Sequence, residues 1–167
     1  MTDELFWIDG PWPGRLAIAL RPRGGDWLDD EIQAWREAGI KTVASLLTVE
    51  ESADLGLDEE RAECEANGIE FRSLPIVDRS VPRSDVDTVA FLRELERVLS
   101  RGANVAVHCR QGIGRSGLIA ASLLMETGLN PDEAVRKVSE ARRIAIPETE
   151  EQRIWIDRFG ATLAHRT

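Results

Sequence analysis

One stretch constrains the fold of this chain more than any other: an apolar run, a glycine-bearing loop and the start of a helix. The run from Ala103 to His108 is mostly apolar, as expected for a central strand that is covered on both faces. A helix is predicted to begin near Gly114, and strands and helices alternate along the rest of the chain. We therefore predict a single α/β domain over residues 1–167, with a mostly parallel central sheet and helices on both faces. The loop would lie at the carboxyl end of a strand, where such sheets usually bind ligands.

The loop itself, residues 109–115, carries a pattern of chemical groups and is called the phosphate loop below. Cys109 precedes Arg115 by six positions, and the hydroxyl residue Ser116 follows at once. Backbone N–H groups at a helix N-terminus hold a phosphate dianion, and the same positive end favours a cysteine thiolate. Arg115 adds a planar fork that can bind two phosphate oxygens. The pattern predicts that Cys109 attacks a bound phosphate. The predicted phosphate-binding residues are Arg110, Gln111, Gly112, Ile113, Gly114, Arg115 and Ser116.

The stretch from His108 to Ser116 reads His-Cys-x5-Arg-Ser and resembles the signature of the cysteine-based protein tyrosine and dual-specificity phosphatases. The chain is most similar to the small atypical dual-specificity phosphatases and their compact bacterial and archaeal relatives. The order of predicted elements is also similar, so the resemblance covers nearly the whole chain. It implies a protein tyrosine phosphatase-like fold and metal-independent hydrolysis of phosphate monoesters through a cysteinyl-phosphate intermediate, with no cofactor. A cysteine in such a setting usually has a pKa of ~3.5–7.5, so we expect activity to peak on the acid side of neutral.

The resemblance implies further roles for residues outside the cysteine–arginine pair. His108 would order the loop and help to keep Cys109 deprotonated, and the Ser116 hydroxyl would help the thiolate to leave. Expelling an alkoxide or phenoxide requires an acid. The stretch ending in Pro75-Ile76-Val77-Asp78 matches the family's acid loop, so Asp78 is predicted as general acid and then as base.

Other readings of the acid and the remaining polar residues stay open. Asp78 could instead belong to a turn or cap the helix predicted over Ser84–Ser100, with Asp85 and Asp87 as the fallback acids. Gln152 matches the family's glutamine that positions the hydrolytic water, but it could equally be an ordinary first-turn residue. The acidic run from Glu50 to Glu70 is predicted to be a solvated helical face. Arg142 and Arg143 are predicted to be a solvated basic pair rather than guides for an anionic substrate. Cys64 is predicted to be structural or incidental.

The composition of the chain restricts which partners and which cellular compartment we expect for it. The net charge of −9 argues against nucleic acid or an anionic membrane as the main partner, because both attract basic surfaces. The acidic start lacks the pattern of a secretory signal, and no run approaches the ~20 apolar residues of a membrane span. Two cysteines, one of which must be a free thiolate, indicate a reducing compartment. We therefore expect a cytoplasmic protein. The resemblance implies a phosphoprotein or phosphopeptide substrate and no metal, and we expect a monomer.

Two other classes of function, and the choice of substrate, remain open from the sequence. A sulfur-transfer or arsenate-reducing enzyme also uses an activated cysteine in an anion loop, but neither explains Asp78 and Ser116 together. A non-catalytic phosphate-binding module would typically have lost the cysteine, the arginine or the acid. The chain contains no tyrosine, so it lacks the tyrosine-bearing loop of the larger tyrosine-specific phosphatases. A shallow cleft that accepts phosphotyrosine, phosphoserine or phosphothreonine is favoured over one for phosphoinositides or inositol phosphates.

Overall fold

The computed structural model describes residues 4–165, which form one five-stranded sheet with helices packed on it. The strands are β1 Leu5–Ile8, β2 Leu16–Ala19, β3 Ile40–Ser45, β4 Glu70–Ser73 and β5 Asn104–His108. The helices are α1 Leu28–Glu37, α2 Val49–Asp54, α3 Glu60–Ala66, α4 Asp85–Ser100, α5 Gly114–Glu126, α6 Pro131–Arg142 and α7 Glu150–Ala164. Within the described residues, no helix is both long enough and apolar enough to cross a membrane.

The strand order is β1-β2-β5-β3-β4, and only the pairing of β1 with β2 is antiparallel. The prediction of an α/β domain with a mostly parallel sheet is confirmed. Strand β4 ends at Ser73, ahead of Pro75, which has no N–H to donate. Two further backbone hydrogen bonds, from Leu74 to Ser45 and from Ile76 to Leu46, keep that segment beside β3.

The central strand β5 sends its side chains alternately to two apolar clusters. Val105 and Val107 belong to the cluster under α4, α5, α6 and α7, whereas Ala106 belongs to the cluster under α1 and α3. The same alternation directs His108 towards α1 and α3 and Cys109 towards α5. Helices therefore cover both faces of the sheet, as predicted. Neighbouring residues at the end of one strand consequently face different surroundings.

The segments that follow β3, β4 and β5 meet at the carboxyl edge of the sheet. The Leu46 N–H donates to the His108 carbonyl, and the Ile76 N–H donates to the Leu46 carbonyl. The segment after β4, residues 77–82 and called the acid loop below, therefore lies next to the phosphate loop. This is the edge at which parallel sheets usually bind ligands.

Candidate active site

Cys109 lies in a cleft of about 210 Å³ at this edge of the sheet. The side chain is buried, and the Gly112 N–H donates a hydrogen bond to the Cys109 Sγ at 3.3 Å. Gly112 has a φ of 71°, a left-handed conformation that glycine adopts without steric cost. Among the described residues, no side chain caps the N-terminus of α5, which leaves the first N–H groups of this helix for a ligand. The residues lining the cleft are Asp78, Arg79, Cys109, Gln111, Gly114, Arg115 and Glu148.

Arg115 is almost fully buried beneath the cleft, with 2% of its surface exposed. Its Nη1 donates to Glu51 Oε1 at 2.7 Å and to the Ile76 carbonyl at 2.7 Å. Its Nη2 donates to Glu51 Oε2 at 2.9 Å and to Asp78 Oδ1 at 2.9 Å. Burial by itself lowers the pKa of Arg115, but the hydrogen bonds and negative charges around the guanidinium outweigh it and raise the pKa. The guanidinium is therefore a permanent cation held in one orientation.

Glu51 is a residue of the site to which the sequence assigns no functional role. It lies in the acidic run predicted to be a solvated face, yet it is buried, and so is Glu60 from the same run. That prediction is wrong for these two residues, because each carboxylate has a cationic or hydrogen-bonding partner inside the protein. Burial raises the pKa of Glu51, but hydrogen bonds from Arg115, Thr48 and Arg110 more than compensate and hold the pKa at about 2.

A local sequence signal could have placed Glu51 correctly. Thr48 and Glu51 form a capping box, in which the Glu51 N–H donates to Thr48 Oγ1 and the Thr48 N–H donates to Glu51 Oε1. The pattern Thr-x-x-Glu after a buried strand is the usual signature of such a helix start. It predicts a helix that begins at the same sheet edge as the phosphate loop.

Asp78 is brought to the cleft, whereas the two fallback acids are not. Its side chain is 47% exposed and its Oδ1 contacts Arg115, so it shares the cleft with Cys109. Asp85 and Asp87 lie in the first turn of α4, and Asp85 lines a separate groove between α4 and α7. The geometry thus leaves Asp78 as the candidate acid, and its role stays a prediction.

His108 and Ser116 are both fully buried beside the cysteine. His108 Nε2 lies 2.6 Å from Glu60 Oε2, and its Nδ1 lies 3.4 Å from the Cys109 carbonyl oxygen. The Ser116 hydroxyl has no hydrogen-bond partner among residues 4–165. A buried hydroxyl without a hydrogen-bond partner is uncommon. The Ser116 hydroxyl can therefore form a hydrogen bond with a group that is present only during turnover. The predicted contact of Ser116 with the departing thiolate is compatible with this placement.

Gln152 is buried at the start of α7 and lies against the backbone of Gly114. Its Oε1 accepts hydrogen bonds from the N–H groups of Glu148 and Thr149, and its Nε2 donates to the Ser80 carbonyl at 3.0 Å. The side chain therefore caps α7 and ties it to the acid loop. Gln152 does not line the cleft in this conformation. That it positions the hydrolytic water stays a prediction.

The arginines around the phosphate loop differ in their surroundings. Arg142 was predicted to be solvated, but its Nε donates to the Gly112 carbonyl at 3.0 Å and its Nη2 to the Gln111 carbonyl at 3.1 Å. These hydrogen bonds keep the carbonyl groups of Gln111 and Gly112 directed towards Arg142. Arg110 Nε contacts Glu51 at 3.3 Å, and Arg143 is exposed at the end of α6. No sequence signal distinguishes Arg142 from Arg143.

Cys64 is also buried, but it belongs to the cluster on the opposite face of the sheet from Cys109. Burial raises the pKa of the Cys64 thiol, and the charges of Glu60, Glu65 and Glu63 raise it further. A neutral, packed thiol is neither a nucleophile nor a metal ligand. The placement agrees with the prediction that Cys64 is structural.

A buried cysteine between the central strand and a helix, with an arginine beneath it and a carboxylate across the cleft, is the arrangement of the cysteine-based phosphatase domains. The resemblance found in the sequence is confirmed by comparison with known proteins. The chain belongs to the family described as the DSP-PTPase phosphatases of polymorphic toxin systems, whose model matches residues 19–129.

Individual relatives agree with this assignment. Protein 197R of Invertebrate iridescent virus 6, which carries a tyrosine phosphatase name, is 31% identical over 90 residues. That alignment covers 52% of this chain and 32% of the viral protein, so the chain spans about a third of the length of this relative. The solved structure of Tk-PTP in its active form is 28% identical, covers 100% of both chains and has a TM-score of 0.76. Kinase associated phosphatase is 19% identical, with a TM-score of 0.87 over 98% of this chain and 97% of its own, which shows the shared fold.

Proposed function

We propose that this protein is a metal-independent phosphatase that hydrolyses phosphate monoesters through a cysteinyl-phosphate intermediate. The observation that carries the proposal is the arrangement of Cys109, Arg115 and Asp78 around one cleft of about 210 Å³. Its walls provide a nucleophile, a fixed cation and a proton donor, which are the three groups that the reaction requires. The family assignment and the likeness to Tk-PTP support the same activity.

Substrate binding requires a rearrangement at Arg115. Both Nη atoms already donate to Glu51, and Nη2 also donates to Asp78. A phosphate dianion above Cys109 competes with the half-exposed Asp78 carboxylate, whereas the buried Glu51 pair stays in place. Once Asp78 leaves the guanidinium, its carboxyl group is free to face the leaving oxygen of the substrate.

In the first chemical step the Cys109 thiolate attacks phosphorus, an Sγ–P bond forms and the ester P–O bond breaks. Asp78 gives its proton to the leaving oxygen, so the product departs as a neutral alcohol or phenol. Arg115 and the N–H groups of the phosphate loop, residues 109–115, stabilise the charge on the three equatorial oxygens. Because Arg142 donates to the Gly112 and Gln111 carbonyls, the N–H groups of the loop need little reorganisation.

In the second step water attacks the phosphorus of the cysteinyl-phosphate while the Asp78 carboxylate accepts its proton. The Sγ–P bond breaks, inorganic phosphate forms and the thiolate is regenerated. The buried Ser116 hydroxyl is free to donate a hydrogen bond to that thiolate, which makes it a better leaving group. His108, one residue before the cysteine, supports the same charge.

We propose phosphotyrosine as the first substrate to test, with phosphoserine and phosphothreonine as further substrates. The cleft is small, and the chain has no tyrosine with which to build the deep wall of a tyrosine-specific pocket. We also propose that the protein acts in the cytoplasm, because the Cys109 thiol must stay reduced, and that it acts as a monomer. Phosphopeptide panels with the three phosphorylated residues in one sequence context would rank these substrates.

The decisive experiment is hydrolysis of p-nitrophenyl phosphate at pH 5 to 7 in EDTA. We expect the wild type to turn over, Cys109→Ser to be inactive and Asp78→Ala to be slowed by about 10²–10⁴-fold, the usual contribution of a general acid. Asp87→Ala is the matched control and should retain full activity, since Asp87 lies in the first turn of α4. If the wild type is inactive but still binds phosphopeptides, the protein is a phosphate-binding module and not an enzyme. Consumption of thiosulfate would instead indicate sulfur transfer.

A further inference from the structure

An ion pair joins the acid loop, residues 77–82, to the segment that precedes α7. Arg79 Nη1 donates to Glu148 Oε2 at 2.8 Å, and the two residues are 69 positions apart in the chain. Both residues line the cleft that contains Cys109. The ion pair therefore connects two separate segments of the wall of the cleft, at the residue that directly follows the candidate acid Asp78.

Arg79 has a left-handed backbone conformation, with a φ of 63°. Such a conformation is uncommon for residues other than glycine and persists only where surrounding contacts support it. Here the Ser80 N–H donates to the Val77 carbonyl at 2.9 Å and closes a tight turn. Because of this turn, neighbouring side chains of the acid loop point to different walls of the cleft.

Three consecutive residues of the acid loop contact residues from outside it. These contacts are Asp78 with Arg115, Arg79 with Glu148 and the Ser80 carbonyl with Gln152 Nε2. The first contact has to break when a phosphate takes its place on the guanidinium. The other two contacts do not involve that guanidinium, so they can hold the acid loop beside the cleft while a substrate is bound.

Glu148 is suited to anchor the acid loop because it packs against the start of α5. A Cβ atom added to Gly114 would lie 3.1 Å from the Glu148 Cβ, so the Glu148 side chain lies directly against the Gly114 backbone. The Glu148 side chain is 28% exposed, whereas that of Arg79 is 62% exposed. The carboxylate is thus held beside the phosphate loop, and the guanidinium belongs to the more exposed acid loop.

We infer that Glu148 is a positioning residue, which acts through Arg79 to keep Asp78 beside the leaving oxygen of the substrate. The inference rests on the proposed function, because the place of Asp78 matters only if Asp78 is the general acid. An exposed ion pair changes an equilibrium by about two- to fivefold. Loss of the pair should therefore lower, by up to this factor, the ratio of molecules whose acid loop lies against the cleft to those whose acid loop has left it.

The first test compares two aryl phosphates at pH 7 by kcat/KM, which includes the first chemical step but not the hydrolysis of the cysteinyl-phosphate. The strongly basic phenolate of phenyl phosphate needs a proton to leave, whereas the weakly basic phenolate of dinitrophenyl phosphate leaves without one. We expect Glu148→Gln to lower kcat/KM for phenyl phosphate by about two- to fivefold and to leave that for dinitrophenyl phosphate unchanged. Glu150→Gln is the matched control, because it removes the same charge from an exposed residue in the first turn of α7.

Exchanging the two charges tests whether the ion pair itself is responsible. Arg79→Glu and Glu148→Arg each remove the pair, and their combination restores it with the charges reversed. Because both esters carry the same phosphate charge, the ratio of their kcat/KM values does not depend on how a variant changes phosphate binding. We expect each single variant to lower the ratio of phenyl phosphate to dinitrophenyl phosphate, and the combination to return it towards the wild-type value.

Three kinetic results would overturn the inference. An equal fall for both esters would mean that Glu148 supports the phosphate loop or the fold rather than the acid. An equal rise would mean that the Glu148 carboxylate repels the substrate. A ratio for Glu148→Gln that matches that of Glu150→Gln would mean that the ion pair has no effect on the acid.

The second test needs no phosphate ester. Hydrogen–deuterium exchange of the N–H groups in peptides that cover residues 77–82 reports how often the acid loop leaves the cleft. We expect exchange there to be about two- to fivefold faster in Glu148→Gln than in the wild type, and unchanged in Glu150→Gln. Unchanged exchange in Glu148→Gln would overturn the inference. If the wild type hydrolyses neither ester but the exchange is faster in Glu148→Gln, the proposed function fails while the anchoring of the acid loop by Glu148 stands.

Discussion

Replacing Glu51 by glutamine tests how the phosphate-binding arginine is held. Glu51 accepts hydrogen bonds from both Nη atoms of Arg115, at 2.7 and 2.9 Å, and it is buried. The surrounding cations and N–H groups hold the pKa of Glu51 at about 2, against its ordinary 4.5. Since a factor of ten in a protonation equilibrium is about 1.4 kcal/mol, this difference corresponds to about 3 kcal/mol of stability for the ionised form.

The pH dependence follows from the lowered pKa. The contribution of Glu51 is complete above its ordinary value of 4.5, where both the folded and the unfolded chain are ionised. It is lost as the pH falls towards about 2, because the unfolded chain takes up the proton first. Glutamine cannot titrate, so the free energy of unfolding of Glu51→Gln should lie about 3 kcal/mol below that of the wild type at pH 7. At pH 3 the difference should be about half as large.

The assay is urea unfolding followed by tryptophan fluorescence at pH 7, 5 and 3. Glu50→Gln is the matched control, because it removes the same charge from an exposed position of α2 and should change stability by less than about 0.5 kcal/mol. A difference for Glu51→Gln below about 1 kcal/mol at pH 7, the range of exposed ion pairs, would refute the reasoning. So would a difference that stays constant between pH 7 and pH 3.

Three further substitutions probe the cleft. Asp78→Asn removes the carboxylate that occupies the guanidinium, so inorganic phosphate should bind about 2- to 5-fold more tightly by calorimetry, because an exposed ion pair contributes up to ~1 kcal/mol. Weaker phosphate binding would show that Asp78 does not compete for Arg115. Arg142→Leu removes two hydrogen bonds to the phosphate loop and should lower kcat/KM by about tenfold, at about 0.5–1.5 kcal/mol for each bond, whereas Arg143→Leu should leave it nearly unchanged. Gly114→Ala would place a methyl group 2.8 Å from Gln152 Oε1. We expect the free energy of unfolding, followed by thermal unfolding, to fall by about 1–3 kcal/mol, and turnover to be slower. An unchanged melting temperature would show that Gln152 can move aside.

The sequence by itself determined those functional groups whose role depends only on residues that are close to them in the chain. The strand, loop and helix around Cys109 are contiguous, so the nucleophile, the loop N–H groups and Arg115 could be assigned from spacing alone. The α/β class followed from the alternation of periodicities, since each helix and strand buries one face. Asp78 is predicted as the acid only through the resemblance of the stretch Pro75–Asp78 to the family's acid loop, and it lies in the same cleft as Cys109.

Only the tertiary structure decided which charges are buried and paired. Glu51 and Glu60 lie in a run of acids that looks uniformly solvated, and Arg142 looks like its neighbour Arg143. Their partners are 64, 48 and 30 residues away in the chain. A charge is buried only when a partner offsets the loss of its hydration, and such a partner is supplied by the packing of α2, α3 and α6 at one sheet edge. The spacing of residues in the sequence does not indicate how these helices pack. The buried charges around the site could therefore be identified only from the tertiary structure.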